Sequence, residues 1–365
     1  MASSATASDG LPRITVLGSL NMDLVSYVSH HPEPGETMTS NGFAVSPGGK
    51  GANQAIACAK LSRTRAPAAA GGQAPLSTSA ATAATAHVSM VGAVGDDAHG
   101  TALRSNLAAH GVDVSGVQVV QAGGVPSGVA VIVVDEPTGQ NRIIVSPGAN
   151  YQIDDKAGTQ SLVPAGTQLL ILQLEIPLEQ VLRALREARA AGIPVLLNPA
   201  PAPATEEARS QLEAAFAVTV GHLGKGQGLA HLVLNETETA ALVPALTVAD
   251  LDTEAGLARA AAYFLALGVE NVVMTLGGRG VYYASAASAN GAGQLLPPEK
   301  VARVVDTTGA GDTFAGQYAL EAVYATAAGK AFDCAAAVHK SNRAAAKTVQ
   351  RKGAQDSIPW RDEVE

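Results

Sequence analysis

One stretch, Asp306-Thr307-Thr308-Gly309-Ala310-Gly311-Asp312-Thr313-Phe314, sets two glycines and a carboxylate where a helix is about to begin. Residues 301–305 ahead of it read as a short apolar strand and 314–327 after it as helix, so the order is strand, glycine turn, helix. Gly309 and Gly311 can take positive φ and leave backbone N–H groups bare. At the positive end of a helix dipole that makes a donor cluster, with Ala310 between them, suited to a phosphate. Asp312 stands beside this anion site, where a carboxylate is electrostatically out of place unless it accepts a proton, as from a hydroxyl attacking the phosphate. A plain helix cap is the competing reading of Asp312.

A second glycine cluster, Ser46-Pro47-Gly48-Gly49-Lys50-Gly51-Ala52-Asn53-Gln54, opens a helix over 55–61. It is not a phosphate-binding Walker A loop, because Ala44 and Gly51 stand where that motif needs Gly and Ser or Thr. Lys50 and Asn53 are donors suited to hydroxyls or phosphate oxygens. A glycine-rich helix start with a solvated lysine is the alternative.

Elements that would position these residues follow from apolar runs. Residues 14–18 read as a buried strand followed by Asn21 and Asp23, and from 169 onward strands alternate with helices, which implies a parallel sheet with crossover helices. Glu175, Asn198, Asn235 and Glu238 all fall just past strand ends, the edge where open α/β sheets bind ligands. Asn235 and Glu238 fit a helix cap equally well, and Asp96-Asp97 reads as a cap pair in preference to metal ligands. The strand 271–276 ends in Gly277-Gly278-Arg279-Gly280, but Tyr283 stands where a dinucleotide fingerprint needs glycine. Runs 128–135 and 141–146 read as a hairpin that, with the segment near residue 40, forms a small covering sheet.

The chain has 365 residues and a formal net charge of −8, from 24 Lys+Arg and 32 Asp+Glu, which argues against nucleic acid and anionic membrane surfaces as partners. Its two cysteines, Cys58 and Cys334, lie far apart with no zinc-ligand spacing, as expected of packed thiols in a reducing compartment. Neither a membrane-spanning run nor a secretion signal is legible, so the expectation is a cytoplasmic protein, with room for a nuclear pool. Residues 1–12 read as a disordered tail, and 62–86, 205–230 and 285–294 as insertions or flexible tips.

Taken in order, these motifs resemble the ribokinase branch of the PfkB sugar kinases. The likeness runs through Val16 to Asp23, Pro34-Gly35-Glu36-Thr37, Gly48 to Ala55, Gly95-Asp96-Asp97, Gln173-Leu174-Glu175, Leu197 to Ala202, Asn235 to Glu238, Thr275 to Gly280, Asp306 to Phe314, and Arg351-Lys352-Gly353-Ala354-Gln355. It implies an α/β fold, a central mostly parallel sheet flanked by helices, over 13–361. A small β-sheet lid, from about 21–46 and 115–146, would cover the sugar and pair subunits into a homodimer.

The resemblance implies ATP-dependent phosphorylation of D-ribose at the O5 hydroxyl. Asp312 would be the base, with the backbone of Gly309, Ala310 and Gly311 as anion hole. The sugar would contact Asn21, Met22, Asp23, Gly49, Lys50, Gly51, Ala52, Asn53, Glu175 and Asp312. ATP would contact Asn235, Thr275, Leu276, Gly277, Gly278, Arg279, Gly280 and Asn342 besides Gly311 and Asp312. Glu238 would lie near Mg²⁺. A monovalent cation, K⁺, would sit on the side chains of Asp306 and Ser357 with carbonyls of Thr308, Thr348, Arg351 and Gly353. A kinase of the same family acting on fructose, a sugar acid or a nucleoside, and a non-catalytic sugar-binding regulator on this fold, remain open.

Overall fold

A computed structural model of the chain describes residues 10–65, 84–153, 161–216, 229–288 and 291–365. The expected tail up to residue 9, and the expected insertions at 66–83, 217–228 and 289–290, lie outside the described residues.

The first strand, β1 (Arg13–Leu17), is apolar almost throughout because both its faces are covered. Ile14 and Val16 pack into one core and Leu17 into another, on opposite sides of the sheet. The same alternation recurs in β8 (Leu169–Leu172), where Leu169 and Ile171 face the first core and Leu170 and Leu172 the second. The chain continues through β2 (Asn21–Val28), β3 (Gly42–Gly48), α1 (Lys50–Leu61), β4 (His87–Gly95), α2 (Ala98–Ala109), β5 (Asp113–Val120), β6 (Gly128–Asp135) and β7 (Asn141–Ser146) before reaching β8. After it come α3 (Leu178–Ala190), β9 (Val195–Leu197), α4 (Glu206–Phe216), β10 (His231–Asn235), α5 (Glu236–Leu242), α6 (Glu254–Ala266), β11 (Asn271–Thr275), β12 (Val281–Ser285), β13 (Gln294–Leu296), α7 (Ala310–Ala327) and α8 (Cys334–Thr348).

The described residues form a nine-stranded sheet in the order β13-β12-β11-β10-β9-β8-β1-β4-β5. It is parallel except at one edge, where β12 pairs antiparallel with both β11 and β13. From β1 the chain first moves outward through β4 and β5, then resumes on the other side at β8, so the strand order reverses between β1 and β8. A crevice opens at the carboxyl ends of strands at such a switch point. Helix α7 is buried over most of its length and packs on α1, where Gly316 leaves room for Ala57. A four-stranded sheet, β3-β2-β6-β7, springs from the end of β1 as the lid. Phe43, Val45, Ile143, Ile144 and Val145 are exposed on it.

Several details differ from the sequence-based expectation. Strand β5, inside the 115–146 span assigned to the lid, pairs with β4 in the large sheet. Residues 301–305 form no strand, because the Val305 N–H is taken by the Val349 carbonyl at 2.7 Å and not by a neighbouring strand. The segment 205–230 is not wholly an insertion, since α4 buries Leu212 and Phe216. Thr85 N–H donates to Ser62 O at 3.0 Å, so the insertion after α1 leaves and re-enters at one point. No described helix is long and apolar enough to cross a membrane.

Candidate active site

The start of α1 lies almost in contact with the end of β1. A Cβ on Gly51 would fall 2.6 Å from the Gly18 carbonyl carbon, and one on Gly49, whose φ is 88°, would fall 2.7 Å from the Asn21 nitrogen. Glycine is needed here because protein backbone fills the space. Gly48 likewise leaves room for the Asp23 carboxyl. Met22 and Ala52 point their side chains into the core.

This close fit gathers polar groups. Glu175, just past β8, accepts from Ser19 Oγ at 2.6 Å, from the Lys50 N–H at 3.0 Å and from Asn21 Nδ2 at 3.4 Å. Asn150 donates to Asn21 Oδ1 at 2.7 Å and clasps the Leu20 backbone, which fixes how Asn21 faces the cleft. Asp23 is buried, and desolvation, with the nearby Glu175 and Asp312 charges, pushes its carboxyl up to about 7. Lys50 balances these acids. Burial would lower its pKa, but Asp312, Glu175 and Glu238 outweigh that and hold it above its ordinary value.

Asp312 lies in the first turn of α7, after Gly309 at φ 76°. Asn53 Nδ2 donates to its Oδ2 and Gln54 Nε2 to its Oδ1, both at 3.0 Å. Gln54 is held in turn by Gln173 and Asn198, and Asn53 by Gln355. The N–H groups of the first helical turn lack carbonyls four residues back within the helix. Gly311 among them opens outward, with nothing within 4 Å of where a Cβ would stand.

Gly311 lines a cavity of about 260 Å³. Thr275, Gly277, Gly278, Gly280 and Asn342 line it too, with Ala310 and an apolar wall that includes Val301, Val304 and Phe314. Four residues of the expected nucleotide set, Asn235, Leu276, Arg279 and Asp312, do not line it: Leu276 is buried in the core, and Arg279 pairs with Glu236 and donates to Leu251 O at 2.9 Å. Asn235 stands opposite Thr275 at the end of β10 and caps α5 reciprocally with Glu238, 2.8–3.0 Å apart. Burial raises the Glu238 carboxyl above the usual range despite the Asn235 N–H and Lys50. Asp97 caps α2 through the Gly100 N–H at 2.7 Å, as its sequence context suggests.

Asp306 joins the loop before α7 to the loop after α8, accepting from the Thr308 and Gly353 N–H groups at 2.9 Å each. Burial alone would raise its carboxyl, but these bonds and the Thr308 hydroxyl hold it below the usual range. Beside it, Ser357 Oγ donates to Ala354 O at 2.7 Å, Thr348 Oγ1 to Thr313 Oγ1 at 2.9 Å, and the Thr348 carbonyl accepts the Arg351 N–H at 3.0 Å. Among the described residues no group of three His, Cys, Asp or Glu side chains is placed to hold a metal ion.

Sequence reasoning assigned no part in the site to Ser19, Gln54, Asn150, Gln173 or Gln355. All but Asn150 stand inside motifs already singled out, and Asn150 follows a Pro-Gly turn that carries no chemical signal of its own.

Comparison with known proteins agrees with this architecture. The model of the pfkB family carbohydrate kinases matches residues 11–361. A ribokinase of Schizosaccharomyces pombe is 39% identical over 362 residues, covering 96% of each chain. A deoxyribokinase of Salmonella typhi is 32% identical, covering 95% of each chain. The structure of an Arabidopsis thaliana ribokinase complexed with ribose and ATP superposes with a TM-score of 0.72 at 28% identity, covering 97% of each chain.

Proposed function

The chain belongs to the PfkB carbohydrate kinase family, and on that premise we propose that it transfers the γ-phosphoryl group of ATP to the O5 hydroxyl of D-ribose, giving ribose 5-phosphate and ADP. One observation carries this reading. The start of α7 joins both halves of the cleft: Gly311 lines the open cavity, while the carboxylate of the adjoining Asp312 is bonded to Asn53 on the α1 side.

Phosphoryl transfer asks mainly for positioning and charge stabilisation. The cavity takes the nucleotide, and the first-turn N–H groups of α7, with Gly309, Ala310 and Gly311, receive the charge of the transferring phosphoryl group. Asn21, Asp23, Lys50, Asn53 and Glu175 bind the sugar hydroxyls. Buried donors and acceptors of this kind discriminate strongly, because a sugar lacking a hydroxyl leaves one of them unpaired. Asp312 takes the O5 proton as the phosphoryl group arrives. Lys50, kept cationic by the surrounding acids, offsets the negative charge gathered there.

Mg²⁺ carried by the nucleotide would supply neutralisation of phosphate charge, and Glu238 is the acid that would lie toward it. A K⁺ ion would be held by Asp306, Ser357 and the carbonyls of Thr308, Thr348, Arg351 and Gly353, an all-oxygen set whose one carboxylate is kept ionised by its hydrogen bonds. It would brace the two loops that flank the anion hole. The exposed apolar face of the lid suits a second copy of the chain, and the charge and composition suit a cytoplasmic protein.

The deoxyribokinase relative makes 2-deoxyribose the second reading. ADP release measured with ribose, 2-deoxyribose, fructose and a nucleoside, in potassium and in sodium buffer, separates the cases. The highest kcat/KM with ribose is expected. A preference for 2-deoxyribose replaces the substrate, and saturable ribose binding without turnover of any sugar replaces the enzyme by a sugar-binding regulator.

A further inference from the structure

An ionised carboxylate only accepts hydrogen bonds, and at Asp312 that property sets the direction of every amide behind it. Asn53 and Gln54 each present NH₂ to one Asp312 oxygen. Their carbonyl oxygens must then point away and be met by donors. Gln355 Nε2 donates to Asn53 Oδ1 at 2.9 Å, and Gln173 Nε2 to Gln54 Oε1 at 2.6 Å. Gln355 is itself turned from outside, since its Oε1 accepts from Asn106 Nδ2 at 2.6 Å and its backbone carbonyl from Lys60 Nζ at 3.0 Å. All four inner amides are buried. Reversing Asn53 would set its oxygen against the Asp312 carboxylate and its NH₂ against that of Gln355, two repulsive contacts where there are now two bonds.

Resting on the reading of Asp312 as the base, we propose that Gln355 and Gln173 are positioning residues that lock the Asn53 and Gln54 amides and so aim the Asp312 carboxylate at the sugar hydroxyl. One acceptor site on each Asp312 oxygen is taken by an amide, which leaves one on each for the incoming O–H. Packing does not account for Gln173. Its Oε1 is buried with no hydrogen-bond partner among the described residues, a destabilising arrangement that an apolar residue of the same size would avoid.

Two substitutions at position 355 separate orientation from simple support. Gln355→Glu keeps the shape and the bond from Asn106 but turns the donor facing Asn53 into an acceptor, which drives the Asn53 amide to reverse. Gln355→Met removes both functions and leaves that amide unguided. The expected result is a kcat lower by about 10²-fold in Gln355→Glu and about 10-fold in Gln355→Met, with KM for ATP within about threefold of wild type and any rise in sugar KM accompanied by that loss of kcat, since Asn53 also faces the sugar. A supporting residue would instead lower the melting temperature and leave kcat per folded site unchanged. Folded variants with wild-type kcat, or with the loss confined to KM, overturn the proposal. Should neither fold, Gln173→Met tests the other arm, and because it removes an unpartnered oxygen it is expected to fold and to lose kcat by about 10-fold; wild-type kcat there also overturns it. Wild type and Asp312→Ala are run alongside. An inactive wild type refutes the kinase reading itself, whereas an active wild type, a crippled Asp312→Ala and unaffected glutamine variants refute only the positioning role.

Discussion

Two glycine-rich helix starts meet in this molecule, and they are glycine-rich for different reasons. At α1 the spaces beside Gly49 and Gly51 are filled by the backbone of Gly18 and Asn21. At α7 the space beside Gly311 is empty and opens on a cavity. The first start is joined to the sheet, where it fixes Lys50, Asn53 and Gln54 relative to β1. At the second, the Ala310 N–H donates to Thr307 O at 3.2 Å and Gly311 faces the cavity. Glycine at 49 and 51 is therefore required by packing, whereas at 311 packing does not require it.

Substitutions break or sharpen that contrast. The largest effect is expected at the residue that bridges the regions: Asp312→Ala should fold and bind sugar but lose at least about 10²- to 10⁴-fold in kcat. Near-normal turnover would remove Asp312 from the chemistry. Gly51→Ala puts a methyl group against fixed backbone, so it should cost about 3 kcal/mol or more in a denaturant titration, or abolish folding. Gly311→Ala should show the reverse, an unchanged melting temperature with kcat/KM for ATP reduced about 10²-fold. If both alanine variants behaved alike, the distinction between the two starts would fail.

The smallest effect belongs to the acid beside α1. Asp23 has a folded-state pKa of about 7 against an ordinary 3.8. Its contribution to stability is thus complete below pH 3.8 and is lost as pH rises through about 7. Asp23→Asn, which cannot ionise, should melt roughly 2–6 °C above wild type at pH 8 and with it at pH 4. An equal difference at both pH values would mean that the Asp23 charge is not what strains the cleft.

Much of the fold was legible because a parallel strand covered on both faces is a continuous apolar run, as in β1, β8 and β10. The lid hairpin β6–β7 was equally plain. Where edges decide pairing, the pattern misled. Within 301–305, Val301 and Val304 line a cavity and Val305 bonds the Val349 backbone instead of adding a strand, and β5 joined the large sheet because β4 offered it an edge. Within the site, carboxylates and glycines announced themselves. The glutamine amides did not, since Gln54, Gln173 and Gln355 have neither charge nor periodicity to show what they face.

By itself the sequence determined which backbone segments turn and cap, which runs are buried, and which residue types stand at the strand ends, because these depend on local propensity and hydrophobic period. Only the tertiary structure decided that Gly49 and Gly51 are closed in by protein and Gly311 is open, that Leu276 and Arg279 stand away from the cavity, and that a chain of amides ends on Asp312. Those facts depend on contacts between segments up to 302 positions apart, as between Asn53 and Gln355, and no local pattern encodes them.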